Sequence, residues 1–208
     1  MTTALLLCSG GLDSTTLAYW LRERDIELVP IFLDYGQHCV DKEWETLRQV
    51  LPTSGVLSPE RIDVSGIFRG SRSRLIVEPD LWNEPVDDSD LYIPYRTLLF
   101  FSIGAASAQT RSLSDVYSGF INSNHAKELD CSAAFLNELD ALAENVGPVR
   151  FHMPFRHWSK AQVVAEAVRL GVAIGTTYSC QLLSDTPCGA CPNCVERLSA
   201  IDANRGAV

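Results

Sequence analysis

Six residues, Ser9-Gly10-Gly11-Leu12-Asp13-Ser14, constrain this chain more than any others. Upstream, Ala4 to Cys8 is an unbroken apolar run of strand length, which reads as a strand buried on both faces. Downstream, Ser14 to Arg24 carries Leu17, Ala18 and Leu21 on one helical face. A buried strand, a glycine turn and an amphipathic helix in that order begin an α/β fold. Two glycines permit a sharp reversal and bring bare N–H groups close to an anion, while the helix behind them aims its positive end at the same point. A helix terminus contributes only about 0.3–1 kcal/mol toward one charge, so a polyanion held here needs further partners. Ser9 and Ser14 can donate hydroxyl hydrogen bonds, and Asp13 can hold a magnesium ion that neutralises phosphate. The turn lacks the GxxxxGK[ST] pattern of the kinase-type phosphate loop. Its plain alternative is a strand-to-helix turn with no ligand.

Further along, the spacing predicts strands over Leu28 to Leu33, Arg61 to Val64, Val116 to Ile121 and Val149 to Phe151. Helices are expected over Val40 to Leu51, stopped by Pro52, then Tyr95 to Gln109, Ser132 to Asn145 and Ser159 to Leu170, the last opened by a Ser cap. Strands alternating with helices imply one domain over residues 1–208, a doubly wound parallel sheet of Rossmann type. Ligands of such sheets sit beyond the carboxyl ends of the strands, here Cys8, Leu33 and Ile121. Residues 65–92 break the rhythm with Arg69, Arg72, Arg74, Pro79, Pro85 and the acidic Asp87, Asp88 and Asp90. They read as an insertion or lid over the site, or else a solvated surface loop.

Lys and Arg number 17 against 26 Asp and Glu, for a net charge of −9. A nonspecific grip on a phosphodiester backbone would work against that field, so no stable nucleic-acid binding is expected. No run approaches the roughly 20 apolar residues of a membrane span. With Ala4 to Cys8 read as a strand and not a signal peptide, cytoplasmic, reduced thiols are the expectation for the seven cysteines. Four of them, Cys180, Cys188, Cys191 and Cys194, follow a C-x7-C-x2-C-x2-C spacing within residues 178–197, with Gly189 and Pro192 in the turns. Four thiolates gathered so tightly suit tetrahedral zinc. An iron–sulfur cluster is the rival occupant, and disulfides or unmetallated core cysteines are the other alternative.

SGGxDS directly after the first strand resembles the signature of the ATP pyrophosphatases (PP-loop enzymes), which cleave ATP between the α- and β-phosphates and adenylate a substrate. Joined to the closing cysteines, it resembles the QueC-like 7-cyano-7-deazaguanine synthase family over nearly the whole chain. Phe32-Leu33-Asp34-Tyr35-Gly36-Gln37 is similar to that family's F-x-D-Y-G-Q, Ile93-Pro94-Tyr95-Arg96 to its V-P-x-R-N, Ser159-Lys160 to its T-K, and Tyr178-Ser179-Cys180 to its zinc segment. The resemblance implies ATP, magnesium and zinc as cofactors. Cys8, Ser9, Gly10, Gly11, Leu12, Asp13, Ser14, Leu33, Tyr35, Gln37 and Lys160 would bind ATP. Asp13 would hold magnesium, and Asp13, Arg96 and Lys160 would be catalytic. It further implies that the carboxylate of 7-carboxy-7-deazaguanine is adenylated and passed to ammonia, and that the protein is a homodimer.

The chain departs from the family where the usual G-V-N-x-x-D-Y-S-G-Y-P-D-C gives way to Gly119-Phe120-Ile121-Asn122-Ser123-Asn124-His125-Ala126-Lys127-Glu128-Leu129-Asp130-Cys131, and Thr97 stands where Asn is usual. Arg96, Asn122, His125 and Asp130 are candidate substrate ligands, with Asp130 suited to a guanine-like edge and His125 to accepting a proton from an amine. The altered stretch raises a second reading, a relative that joins the deazaguanine to another amine such as a protein terminus. A tRNA-modifying PP-loop enzyme is less favoured, because the chain lacks a basic surface or an added RNA-binding module. A noncatalytic nucleotide-binding module is disfavoured by Asp13, Arg96 and Lys160. His152 and His157 are expected to be structural, and Trp20 and Trp44 to belong to the core.

Overall fold

A computed structural model describes residues 2–81, 83, 86, 88–121, 132–183 and 186–206. Its centre is β1 (Thr2–Leu7), two Thr followed by Ala and three Leu with no charged residue, flanked by β2 (Ile26–Asp34) on one side and β4 (Asp115–Ser118) on the other. β3 (Glu60–Asp63) and β5 (Arg150–His152) form the edges, giving the order β3-β2-β1-β4-β5 with every pair parallel. The chain winds outward through β2 and β3, then crosses β1 to add β4 and β5. The switch of direction therefore falls between β1 and β4, where parallel sheets open a crevice.

The two-residue period of β1 divides the core. Leu6 and Cys8 face α1 (Leu12–Arg22) and α5 (Lys160–Arg169), packing with Leu17, Leu21, Phe32, Val163 and Ala167. Leu5 and Leu7 face α3 (Arg96–Thr110), packing with Ile31, Phe101 and Val116. Leu136 and Leu139 of α4 (Ala133–Val146) complete that second layer. Burying each such side chain contributes roughly 1.5–3 kcal/mol, so layers on both faces hold the sheet without cross-links. α2 (Val40–Val50) buries Thr46, Leu47 and Val50, and its backbone at Glu43 and Leu47 covers the turn after β1.

β4 ends at Ser118, three residues before the expected Ile121, because Gly119 turns the chain toward α1. Helix α5 begins with the foreseen cap: the Ser159 hydroxyl accepts from Gln162 N–H, and the Gln162 side chain accepts from Ser159 N–H. A sixth helix, α6 (Pro192–Asp202), carries the chain on from the cysteines and packs on α5. Among the described residues no helix is long and apolar enough to cross a membrane.

Candidate active site

The glycine turn sits at the C-terminal end of β1, backed by α2. Gly10 has φ +77°, and a Cβ there would lie 2.7 Å from the backbone nitrogen of Leu47. Helix α2 thus leaves no room for a side chain, and the conformation itself favours glycine. Opposite, a Cβ on Gly119 would come within 3.0 Å of the backbone of Asp13 and Ser14. Two glycines from distant segments therefore set the clearance on both sides. Within the turn, Ser9 N–H donates to Ser14 Oγ at 3.3 Å, the Ser14 hydroxyl donates to the Gly11 carbonyl at 3.3 Å, and Gly11 N–H donates to Ser9 Oγ at 3.4 Å. These bonds are long for their type, so an anion could replace them at small cost.

The turn opens onto a cavity of about 340 Å³ at the switch point. Cys8, Ser9, Gly11, Leu12, Asp13, Ser14, Leu33, Tyr35, Gln37, Arg96 and Lys160 all line it. Gly10 supports it from behind. Lys160, at the start of α5, crosses to α1 and places its Nζ 2.6 Å from Asp13 Oδ2. Burial disfavours the ammonium, but the Asp13 and Glu196 carboxylates outweigh it and hold the Lys160 pKa above its ordinary value. The other carboxylate oxygen, Asp13 Oδ1, is buried with no hydrogen-bond partner among the described residues. A buried, unpartnered carboxylate oxygen at the edge of this cavity fits a hard divalent cation such as magnesium.

On the β2 side, Arg96 sits over two aromatic faces, its Cζ 5.6 Å from the Tyr35 ring centroid and 6.0 Å from that of Phe100. The Gln37 side chain accepts from Tyr35 N–H and donates to both the Leu33 carbonyl and Glu43 Oε2. Glu43 also lines the cavity. Burial pushes its carboxyl up from 4.5 to about 7, while the hydrogen bond from Gln37 and the charge of Arg96 pull the other way. The His38 ring bridges the Leu75 carbonyl (3.1 Å) and the Gln181 carbonyl (2.7 Å), tying residues of the 65–92 segment to the cysteine segment. Thr97 is fully buried and does not line the cavity.

Glu43, His38, Glu196 and Arg197 are cavity residues that sequence reasoning did not select. The available signal was a charged or polar residue at the start of α2 and, in α6, a Pro after Cys191 that marks a helix start. Asn122, His125 and Asp130 lie outside the described residues. Away from the cavity, His152 stacks on Tyr117 and bonds to Asp115 at 2.7 Å, a structural place as expected. Trp20 and Trp44 pack against the core.

The four cysteine sulfurs of Cys180, Cys188, Cys191 and Cys194 all lie within 4.8 Å of one another, Cys188 and Cys194 at 3.9 Å. Tetrahedral zinc with Zn–S near 2.3 Å separates its sulfurs by roughly 3.8 Å. Backbone N–H groups of Leu182 and Cys188 aim at Cys180 Sγ, and those of Ala190 and Cys191 at Cys188 Sγ, as thiolate ligands require. Gly189 takes φ +73° in the turn between two of them. The donor set fits zinc. The cluster also borders the cavity: Cys180 lines it, and Tyr178 N–H donates to the Gly10 carbonyl at 3.1 Å.

The model of the queuosine biosynthesis protein QueC family matches residues 3–205. The 7-cyano-7-deazaguanine synthase of Campylobacter hominis is 30% identical over 204 residues, covering 94% of this chain and 92% of that protein. That of Marinobacter nauticus is 31% identical, covering 97% and 93%. Among solved structures, a 4-thiouridine synthetase in complex with RNA and ATP superposes with a TM-score of 0.56 at 16% identity, over 99% of this chain and 50% of that one. At that identity the likeness is one of fold alone.

Proposed function

The chain belongs to the QueC family of queuosine biosynthesis proteins, and from that membership we propose that it is an ATP-dependent ligase acting on the carboxylate of 7-carboxy-7-deazaguanine. The observation that carries the reading is the Lys160–Asp13 pair, closed across a glycine turn at the mouth of the switch-point cavity. A carboxylate does not acylate amines because oxide is its leaving group. Attack of its oxygen on the α-phosphorus of ATP expels pyrophosphate and leaves a mixed anhydride, from which AMP departs readily. Ammonia then attacks the acyl carbon, AMP leaves, and an amide results. Adenylation of the amide oxygen by a second ATP, followed by loss of AMP and a proton, gives the nitrile.

In this reading the N–H groups of the turn and the hydroxyls of Ser9 and Ser14 hold phosphate oxygens. Lys160 and Arg96 face the charge that develops as pyrophosphate departs. Asp13 would hold magnesium through its unpartnered Oδ1, and the ion would supply charge neutralisation on the phosphates. Leu33, Tyr35 and Gln37, at the end of β2, would border the nucleotide. Cys180, Cys188, Cys191 and Cys194 would hold zinc in a structural role, since a closed four-thiolate shell offers no open position. Homodimerisation belongs to the same proposal, by family likeness.

The replaced stretch Phe120 to Leu129 favours a second reading for the acceptor, in which an amine other than ammonia, such as a protein N-terminus, takes the acyl group. Incubation with ATP, magnesium, the deazaguanine acid and ammonium, followed by mass spectrometry, tests both. Free nitrile with AMP and pyrophosphate supports the ammonia route. An amide end product or a protein adduct supports the second, and absence of pyrophosphate with the acid overturns the ligase.

A further inference from the structure

Among the described residues Lys160 has two carboxylate neighbours, and only one belongs to the SGGxDS motif. Its Nζ lies 2.6 Å from Asp13 Oδ2 and 3.4 Å from Glu196 Oε2. Asp13 approaches from the first turn of α1, whereas Glu196 approaches from α6, the helix capped by Cys191 and carrying Cys194 in its first turn. A cation held at Asp13 Oδ1 draws charge from the carboxylate whose Oδ2 Lys160 contacts, and so weakens that pair. An ammonium this buried then loses part of what offsets its desolvation. Glu196, supplied by α6, belongs to neither the turn nor α1.

Helix α6 is a firm base for such a residue. Arg197, next in the chain, is buried, and its guanidinium donates to Thr177 Oγ1 at 2.8 Å, to Ser179 Oγ at 3.0 Å and to the Ile174 carbonyl. Glu196 itself lines the cavity. With Asp13, Glu196 and Lys160 together carrying one net negative charge, the cluster also favours a divalent cation before any polyphosphate arrives.

We infer that Glu196 is a positioning residue for Lys160: it retains the ammonium at the phosphate end of the cavity once Asp13 is engaged by nucleotide and metal. This rests on the reading that the cavity takes ATP. Its consequence is a second task for the cysteine segment, which delivers the counterion of a lysine on another helix.

The test is a double-mutant cycle read by calorimetry with α,β-methylene-ATP and magnesium, alongside pyrophosphate release. Glu196→Gln should weaken analogue binding and lower kcat, each by about tenfold or more, with KM for the acid unchanged. Glu196→Asp should restore most of both, and zinc content should match the unaltered protein in each variant. In a Lys160→Met background, Glu196→Gln should add no further loss of affinity. Full additivity in that cycle, unchanged binding by Glu196→Gln, or a loss that only tracks lost zinc would overturn the inference. Absence of analogue binding by the unaltered protein would instead overturn the ATP reading itself.

Discussion

The backbone N–H of Tyr178 donates to the carbonyl oxygen of Gly10 at 3.1 Å, so the segment that opens the cysteine cluster is bonded to the turn that opens the cavity. The Tyr178 carbonyl also lies 3.4 Å from where a Cβ on Gly11 would be, and its hydroxyl donates to Leu182. Loss of a zinc ion held by the four cysteines, as proposed above, should therefore reach the glycine turn. Chelation is expected to lower the melting temperature and to weaken ATP binding by at least about tenfold, given that a structural zinc contributes on the order of 10 kcal/mol in small peptides. Zinc analysis paired with calorimetry checks this, and unchanged ATP affinity in metal-free, folded protein would refute the coupling.

Lys160 and Asp13 should fail in different ways. Lys160→Met leaves the Asp13 and Glu196 carboxylates without their shared cation, so kcat should fall about 10²–10³-fold and stability should fall with it. Asp13→Asn keeps a hydrogen-bonding partner for Lys160 but removes the anionic ligand. Its loss of pyrophosphate release should be partly recovered by raised magnesium. Magnesium titrations of both variants separate the cases, and equal responses would refute the assignment of the metal to Asp13.

Gly119 is a steric prediction. Added at 3.0 Å from the backbone of Asp13 and Ser14, the methyl of Gly119→Ala must displace the turn by a few tenths of an ångström. kcat/KM for ATP should drop about 10–100-fold with little change in melting temperature. A variant with unaltered ATP kinetics would show that the turn accommodates the shift.

The Glu43 carboxyl titrates from about 7 in the folded protein against an ordinary 4.5. The native state then binds more protons than the unfolded chain between these values, so this group's contribution is full below about pH 4.5 and is lost as pH rises to about 7. Glu43→Gln, which mimics the neutral form, should flatten that decline by about 1–3 kcal/mol across the window. Urea unfolding of both proteins at several pH values measures the difference, and parallel curves would rule the effect out.

Most of the framework was legible because it is written locally. The Ala4 to Cys8 run, the glycine turn and the spacing of Leu17, Ala18 and Leu21 each point to their element without reference to the rest of the chain, and the Ser159 cap lies where its hydroxyl marks it. Boundaries moved where tertiary packing decided them: β2 runs from Ile26 through Asp34 because its ladder pairs Ile26 and Glu27 with β1 and Asp34 with Asp63 of β3, which an apolar-run criterion excludes. Tyr95 was expected inside the third helix but precedes it, at φ +59°, turning the chain so that Arg96 begins α3 beside Tyr35. Glu43 and Glu196 were not legible as site residues. Each reads as the polar side of an amphipathic helix, and only the packing of α2 and α6 on the glycine turn and α5 brings them to the cavity.

β1 hydrogen-bonds to a neighbour along both edges and buries Leu5 and Leu6 completely. Its amides should be among the slowest in the molecule to exchange with deuterated solvent, opening only when everything else does. The turn that follows is thus rooted in the segment least able to fray. A nucleotide gripped there draws on global rather than local folding free energy, so saturation should raise one cooperative melting transition as a whole instead of splitting it in two.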